Sequence, residues 1–393
     1  MPERRGLLCF GGFARHDWTL LWQRQQAVMT RLAKRFEVYY IERFSTRRLG
    51  FREIVQAASS RFLASRQLSN SVPQTTLHFI APRVKPFHGA QFWRRRNYRA
   101  LAAAIDDAWP HDLRRTVLWI YNPSYLALEF LIQTAGQWER TVYDCVQRFE
   151  FNRYYPPDIG EIDREIARRV NVVFADSRTI WEEKQRLNPA AHFVPQGVDV
   201  ERFIWEGANR TPPDELQHLK RPILGYHGAW HQAFHADWVA AAVEAIPGST
   251  FVFIGPTFGR EQPWRRRCPS AVFLGPRDHA RLGSYVNAFD VCLIPYRLDA
   301  HTEGVFPTKF FEYVATGLPM VSSDLPDLRV YDQWVALART REEFIGRVKA
   351  AIHQPRRLPE FVRPFVEQQS WDRRVEHMLE VLVGEAEKKS EQS

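Results

Sequence analysis

Short apolar runs of strand length alternate with helical stretches along nearly the whole chain, which argues for parallel, doubly wound sheets rather than an all-β design. Leu7–Phe10, Phe36–Ile41, Thr76–Ile80, Thr116–Tyr121 and the segments TVYDCV and VNVVFADS read as strands. Between them fall helical stretches over Leu20–Lys34 and Phe92–Trp109, and helices that start at Ser124 and Ile159. From Thr46 to Lys85 the chain is polar and poorly periodic. A second series follows the loop-like stretch ANRTPPDELQHLKRP: Ile223–His227, a helix over Asp237–Ala245, Thr250–Ile254, Ala271–Gly275, a helix around Arg281–Ala288, and Val291–Pro295. The 393 residues suffice for two domains, each burying its own core. The expected division is an α/β Rossmann-like domain over 1–203, a linker over 204–220, a second Rossmann-like domain over 221–370, and a terminal amphipathic helix with a frayed tail over 371–393.

The apolar fraction of 45% and charged fraction of 25% are those of a soluble globular protein. No apolar run approaches the roughly 18–20 residues that span a bilayer. The opening MPERRGLLCFGGF lacks the apolar core and cleavage site of a secretory signal, so a cytoplasmic location is expected. Cys9, Cys145, Cys268 and Cys292 form no CxxC pair, which indicates neither a zinc site nor a disulfide framework. A net charge of +9 suits an anionic partner: nucleic acid, an anionic membrane surface or a phosphorylated small molecule. The arginines sit in short clusters (Arg47 and Arg48, Arg94–Arg96, Arg114 and Arg115, Arg265–Arg267) without a nucleic-acid motif, so no nucleic-acid partner is expected. They read either as solvated faces or as a surface for peripheral attachment to an anionic leaflet.

The most informative stretch is Asp290–Asp324, DVCLIPYRLDAHTEGVFPTKFFEYVATGLPMVSSD, which reads as strand, loop, helix, strand. Pro307 is expected to open the helix and Gly317 to close it, with Phe310, Phe311 and Val314 as a buried stripe. Lys309 is out of place there, because the positive end of the helix dipole repels a cation in the first turn. A lysine beside free backbone N–H groups instead makes a site for a diphosphate, and Glu312, one turn on, is placed to accept hydrogen bonds from sugar hydroxyls. The competing reading is a solvated Lys309/Glu312 helix pair of little energetic weight.

The run Pro307, Lys309, Glu312, Tyr313, Gly317, Pro319 resembles the P-x-K-x-x-E-Y-x-x-x-G-x-P signature of GT-B glycosyltransferases, specifically the retaining, metal-independent group of the family 4 type. The resemblance implies two Rossmann-like domains facing a cleft, an N-terminal acceptor domain and a C-terminal nucleotide-sugar donor domain. It puts the Lys309 region, with Thr308, against the donor diphosphate and Glu312 on the nucleotide ribose. Most members carry a second glutamate, which touches the donor sugar, eight positions before the ribose glutamate; that position is Gly304 here, with Glu303 one residue off register. HFVPQGVD resembles the interdomain P-N-G-V-D with Gln196 for the asparagine, which implies that the Gly197 backbone lies against the donor. HDWTLLWQRQQ resembles the D-W-x-x-x-W-Q-R pattern of surface-polysaccharide and teichuronic-acid-type enzymes through His16, Asp17, Trp18, Gln23 and Arg24.

The activity so implied is retaining transfer of a sugar from a nucleotide-diphosphate donor to a glycan or lipid-linked acceptor, with no cofactor and no metal. Family members use an arginine and lysine after the first strand of the second domain; GYHGAWHQAFH holds neither, and His231 or Arg277 is the candidate replacement. His227, His231 and His235, spaced by four, give a competing metal reading, opposed by Gly228 and the preceding strand. Members also place a histidine and an aspartate after a central strand of the first domain. Tyr143 and Asp144 stand there, making Asp144 the candidate polar group near acceptor or donor sugar, or else a strand-end cap. His16 and Asp17 are further candidates for the reacting hydroxyl, and Asp176 with Ser177 reads as a helix cap. A nucleotide-sugar epimerase of the same plan and a non-catalytic glycan- or nucleotide-binding relic are the alternative readings.

Overall fold

The computed structural model describes residues 5–15, 18, 22–42, 77–85, 91–152, 155–206, 212–230, 233–257, 264 and 268–390. The chain divides into two compact units, Met1–Val194 with Val375–Ser393, and Pro195–Arg374. In the first unit the elements are β1 (Arg5–Phe10), α1 (Arg24–Leu32), β2 (Phe36–Ile41), β3 (Leu77–Ile80), α2 (Gln91–Ala108), β4 (Thr116–Ile120), α3 (Tyr125–Gln133), β5 (Arg140–Cys145), α4 (Ile159–Arg169), β6 (Val172–Ala175), α5 (Arg178–Gln185) and β7 (Ala191–Phe193). Its sheet has the order β3-β2-β1-β4-β5-β6-β7, parallel throughout.

The second unit contains α6 (Val200–Phe203), α7 (Asp214–Gln217), β8 (Ile223–His227), α8 (Ala236–Ala245), β9 (Thr250–Ile254), β10 (Val272–Gly275), α9 (His279–Asn287), β11 (Val291–Ile294), α10 (Phe310–Thr316), β12 (Met320–Ser323), β13 (Ala336–Ala338), α11 (Arg341–Ala351) and α12 (Pro359–Gln368). Helix α13 (Trp371–Ser390) begins in this unit and ends in the first. The second sheet, β10-β9-β8-β11-β12-β13, is also parallel. In each unit the strand order reverses beside the first strand, between β1 and β4 and between β8 and β11. In open α/β sheets such a switch point, at the carboxyl ends of the strands, is where ligands bind.

Strands β8, β9 and β11 are buried along their full length, as strands covered on both faces must be, and their sequences are predominantly apolar. Three sequence expectations shift. The first unit ends at Val194 rather than at 203, because the segment after Pro195 is laced into the second unit. There Val198 N–H donates to the Gln369 carbonyl at 3.1 Å and Trp371 N–H to the Val198 carbonyl at 3.2 Å. The helix expected from Pro307 begins at Phe310, because Phe310 N–H first closes a tight turn onto the Pro307 carbonyl at 3.0 Å. Finally, α13 runs through Ser390, so most of the tail expected to fray is helical.

One close approach matters for the site. Gly283 of α9 lies against the backbone of α6, and a Cβ there would sit 1.9 Å from the Arg202 carbonyl oxygen. That contact brings His279, at the start of α9, within 3.5 Å of Asp199, just before α6. Gly283→Ala is expected to lower the stability seen in urea unfolding by about 1–3 kcal/mol, as overpacking does. Gly346→Ala, in α11 with nothing within 4 Å of its added methyl, is expected to be neutral or stabilising by up to about 1 kcal/mol.

Candidate functional site

At the switch point of the second sheet, β8 ends in His227 and the chain turns at Gly228, whose φ of 132° suits glycine alone. A Cβ at Gly228 would lie 3.0 Å from Lys309 Cε and 3.1 Å from Tyr226 Oη, so a larger residue would also press on the Lys309 side chain. Backbone bonds pin it: Gly228 N–H donates to the Ile254 carbonyl at 2.8 Å and Trp230 N–H to the Pro256 carbonyl at 2.9 Å. Across the switch, Tyr296 follows β11, held by Ser323 Oγ donating to its carbonyl at 2.5 Å. Farther along, Asp299 Oδ1 accepts from His301 N–H and Thr302 N–H, both at 3.0 Å, and shapes the loop that leads to α10.

Helix α10 is buried on every side, not along one stripe, as befits a short helix anchored by Phe306, Phe310, Phe311 and Tyr331. Lys309, its N-cap, is 3% exposed and Glu312 9%, which removes the solvated-pair reading. They do not pair with each other either. Lys309 Nζ lies 2.5 Å from Tyr296 Oη, over the ring faces of Tyr226 (5.1 Å) and Tyr296 (4.9 Å). Among the described residues no carboxylate forms an ion pair with Lys309. Burial, then the neighbouring phenols of Tyr296 and Tyr313, pushes the Tyr226 phenol well above its ordinary range, so it stays neutral and supplies no counter-charge. A buried ammonium without a carboxylate partner is costly.

Glu312 turns the other way: its Oε2 lies 3.1 Å from His227 Nε2. The His227 ring is edge-on to Tyr313 at 4.9 Å and parallel to Phe203 at 6.4 Å, and its backbone N–H donates to Tyr313 Oη at 2.9 Å. Asp199 Oδ2 faces His279 Nε2 at 3.5 Å and Arg202 at 2.7 Å. Lys309 and Glu312 are thus brought together with His227 and Gly228. Sequence reasoning considered His227 only as a metal ligand and missed Tyr226, Tyr296 and His279. The usable signal was position, since His227 and Tyr296 immediately follow or end the two strands that flank the switch.

Other sequence candidates are placed differently. Glu303 is exposed on the turn Thr302–Gly304, and Thr308 is half-buried beside Lys309. Gly197 packs on Trp371, whose Cδ2 a Cβ would meet at 2.7 Å, so its missing side chain is needed by the fold itself. Arg277 is committed elsewhere, donating to Glu215 at 2.8 Å and Tyr285 Oη at 3.2 Å. His231, His16 and Asp17 lie outside the described residues.

In the first unit Asp144 is fully buried, and Arg24 Nε reaches both its oxygens at 2.9 and 3.1 Å while Nη1 donates to the Val194 carbonyl at 2.7 Å. Burial raises the Asp144 carboxyl, and the Arg24 charge opposes the rise. Asp144 therefore braces Arg24 and presents no free carboxylate. The other described residues of the D-W-x-x-x-W-Q-R stretch also serve the framework: Trp18 packs on Tyr40 and Phe79, and Gln23 precedes α1. Ser177 caps α5, its Oγ accepting from Ile180 N–H at 3.2 Å.

Burial holds His227, His235 and His301 below the ordinary imidazole range, with Glu312 opposing at His227, Arg297 reinforcing at His235 and Asp299 opposing at His301. Below the unfolded value of about 6.5 the unfolded chain takes up protons that the folded chain refuses. Stability present above about pH 6.5 is then lost as pH falls toward the depressed folded values. The urea unfolding free energy is expected to fall between about pH 7.5 and 5.5, by up to about 1.4 kcal/mol per pH unit for a buried histidine such as His227 and by less for half-buried His235, and His227→Gln should shrink the drop.

Residues 221–353 match the family model described as Glycosyl transferases group 1. A protein of Bacillus subtilis (strain 168), described as a teichuronic acid biosynthesis glycosyltransferase, TuaH, is 26% identical over 249 residues, 58% of this chain and 60% of that relative's length. Among solved structures, sucrose-phosphate synthase from Thermosynechococcus elongatus superposes with a TM-score of 0.68 at 14% identity, covering 96% of this chain and 98% of its own. Anabaena HepE in complex with UDP and glucose superposes with a TM-score of 0.65 at 12% identity, covering 97% and 100%. At these identities the solved structures establish the fold.

Proposed function

We propose that this chain, a GT-B protein with the fold of the family 4-like glycosyltransferases, moves a sugar from a nucleotide-diphosphate donor to a glycan or lipid-linked acceptor. The observation that carries the reading is the buried Lys309 ammonium, held by tyrosines with no carboxylate partner among the described residues, at the switch point of the domain that matches the group 1 glycosyl transferases. Departure of a diphosphate builds negative charge, and a fixed cation in a low-dielectric site stabilises that charge without reorganising. Lys309 takes this part, Gly228 lets the backbone approach the phosphates, Glu312 accepts from the ribose hydroxyls, and Thr308 and exposed Glu303 face the sugar side. The UDP complex of HepE supports a nucleotide donor by analogy of fold. Retention and metal independence rest on the family resemblance, and TuaH supports an acceptor in cell-surface polysaccharide synthesis.

No helix among the described residues is long and apolar enough to cross a membrane. A cytoplasmic protein that meets a lipid-linked acceptor must reach the leaflet from outside, and α2 offers a face for it. Phe92, 67% exposed, stands with exposed Arg95, Arg96 and Arg99 at the spacing of a single helix face. An apolar anchor among cations suits an anionic lipid surface. Vesicles containing phosphatidylglycerol are expected to sediment the protein, and Arg95→Glu/Arg96→Glu/Arg99→Glu to weaken this by at least about 100-fold at low salt, at roughly 1 kcal/mol per cation.

The activity is tested with a panel of nucleotide sugars. One donor is expected to stabilise the protein thermally and to be hydrolysed slowly to its nucleoside diphosphate without acceptor, with or without EDTA. Lys309→Ala is expected to weaken that donor's binding by at least about tenfold. An epimerised donor, or no response to any donor, contradicts the transferase reading.

A further inference from the structure

The polar contact of Glu312 with His227 is not part of the signature that singled out Glu312, and it is made by an unusually constrained imidazole. His227 is the last residue of β8, 6% exposed, clamped between Tyr313 and Phe203, with its backbone N–H tied to Tyr313 Oη. Its Nε2 is buried without a well-aligned hydrogen bond among the described residues, and Glu312 Oε2 lies 3.1 Å from it, close enough for a small ring or carboxylate adjustment to join them. A buried ring packed edge-on to Tyr313 and lying 3.1 Å from one carboxylate oxygen restricts where that carboxylate can turn.

We infer that His227 is a positioning residue for the donor nucleoside: it holds Glu312 through Oε2 so that Oε1 is presented to the ribose diol. The inference rests on the reading that a nucleoside diphosphate binds at Lys309. A carboxylate has about four acceptor positions, so engaging one oxygen leaves the other free to take hydroxyl donors. Its rotamer freedom, which ribose binding would otherwise have to remove, is removed in advance by the imidazole. Burial holds the His227 imidazole below its ordinary range, which favours the neutral ring, and a neutral ring can donate to Glu312 without cancelling its charge. The Lys309 charge lowers the imidazole further. The pair thus separates two tasks three residues apart on α10: Lys309 for the phosphates and Glu312 for the sugar of the nucleoside.

The test measures the binding of ADP, CDP, GDP and UDP and of their 2′,3′-dideoxy counterparts by calorimetry. Wild type is expected to prefer its best ribonucleotide over the dideoxy form by about tenfold or more, the scale of one well-placed charged hydrogen bond. Glu312→Gln and His227→Ala are each expected to lose most of that preference while dideoxy binding changes little. The double variant should be no worse than Glu312→Gln, and His227→Gln, which keeps an N–H donor, should restore most of the preference. The inference is overturned if His227→Ala keeps the preference, or if it weakens both nucleotide forms equally, as loss of local structure would. Equal wild-type binding of both forms removes Glu312 from the ribose and overturns the inference while leaving the Lys309 phosphate site standing. If wild type binds none of the eight nucleotides, the donor reading itself falls and the inference with it.

Discussion

A buried ammonium needs a reason. The Lys309 side chain crosses from the start of α10 to the turn at Gly228 and ends against phenols and ring faces, which orient a cation but do not neutralise it. Much of the second unit is arranged to keep it there. The parallel order of the sheet separates β8 from β11 at a switch point, the backbone pairing of Gly228 and Trp230 with the next loop holds the turn, and the aromatic cluster around Phe310 fixes the helix that carries the lysine. On the proposed function, a diphosphate arriving there would supply the counter-charge that the fold withholds from Lys309.

The first unit solves a different problem with the same strand. Successive residues of β5 point to opposite faces. Asp144 goes one way to Arg24, while Tyr143 and Cys145 go the other way to Asp163, which is ion-paired with buried Lys184. Each acid thus has a cation, in contrast with Lys309. Through Val194 the Arg24 pair also fixes the end of β7, the last strand of this unit. Of the matched residues of the D-W-x-x-x-W-Q-R stretch that the structure describes, Trp18 packs on Tyr40 and Phe79, Gln23 is the N-cap of α1 and Arg24 pairs with Asp144.

Much of the architecture was legible because it depends on local pattern. Phe36–Ile41, Ile223–His227 and Thr250–Ile254 are strands to the residue, since an apolar run bounded by polar turns states its own limits. The oddity of Lys309 was legible for the same reason, being a conflict between one side chain and its own helix. What escaped depended on partners distant in sequence. Nothing near Asp144 announces Arg24, 120 positions away, and nothing near Glu312 announces His227, 85 positions away (312 − 227). The unit boundary moved from 203 to 194 because hydrogen bonds to residues 369–371, invisible in composition, hold the intervening segment. The full burial of α10 could not be read from seven residues whose polar members look like a solvent face.

The most direct test of the central claim is the thermal unfolding of Lys309→Met, a change that keeps length and removes charge, with and without a saturating nucleoside diphosphate. If the ammonium lacks a counter-charge until an anion arrives, the free variant should melt at least as high as the wild type, while the upward shift on adding the nucleotide should be lost. A free variant that melts well below wild type yet keeps the full nucleotide shift would show that Lys309 serves the fold and that the phosphates bind elsewhere.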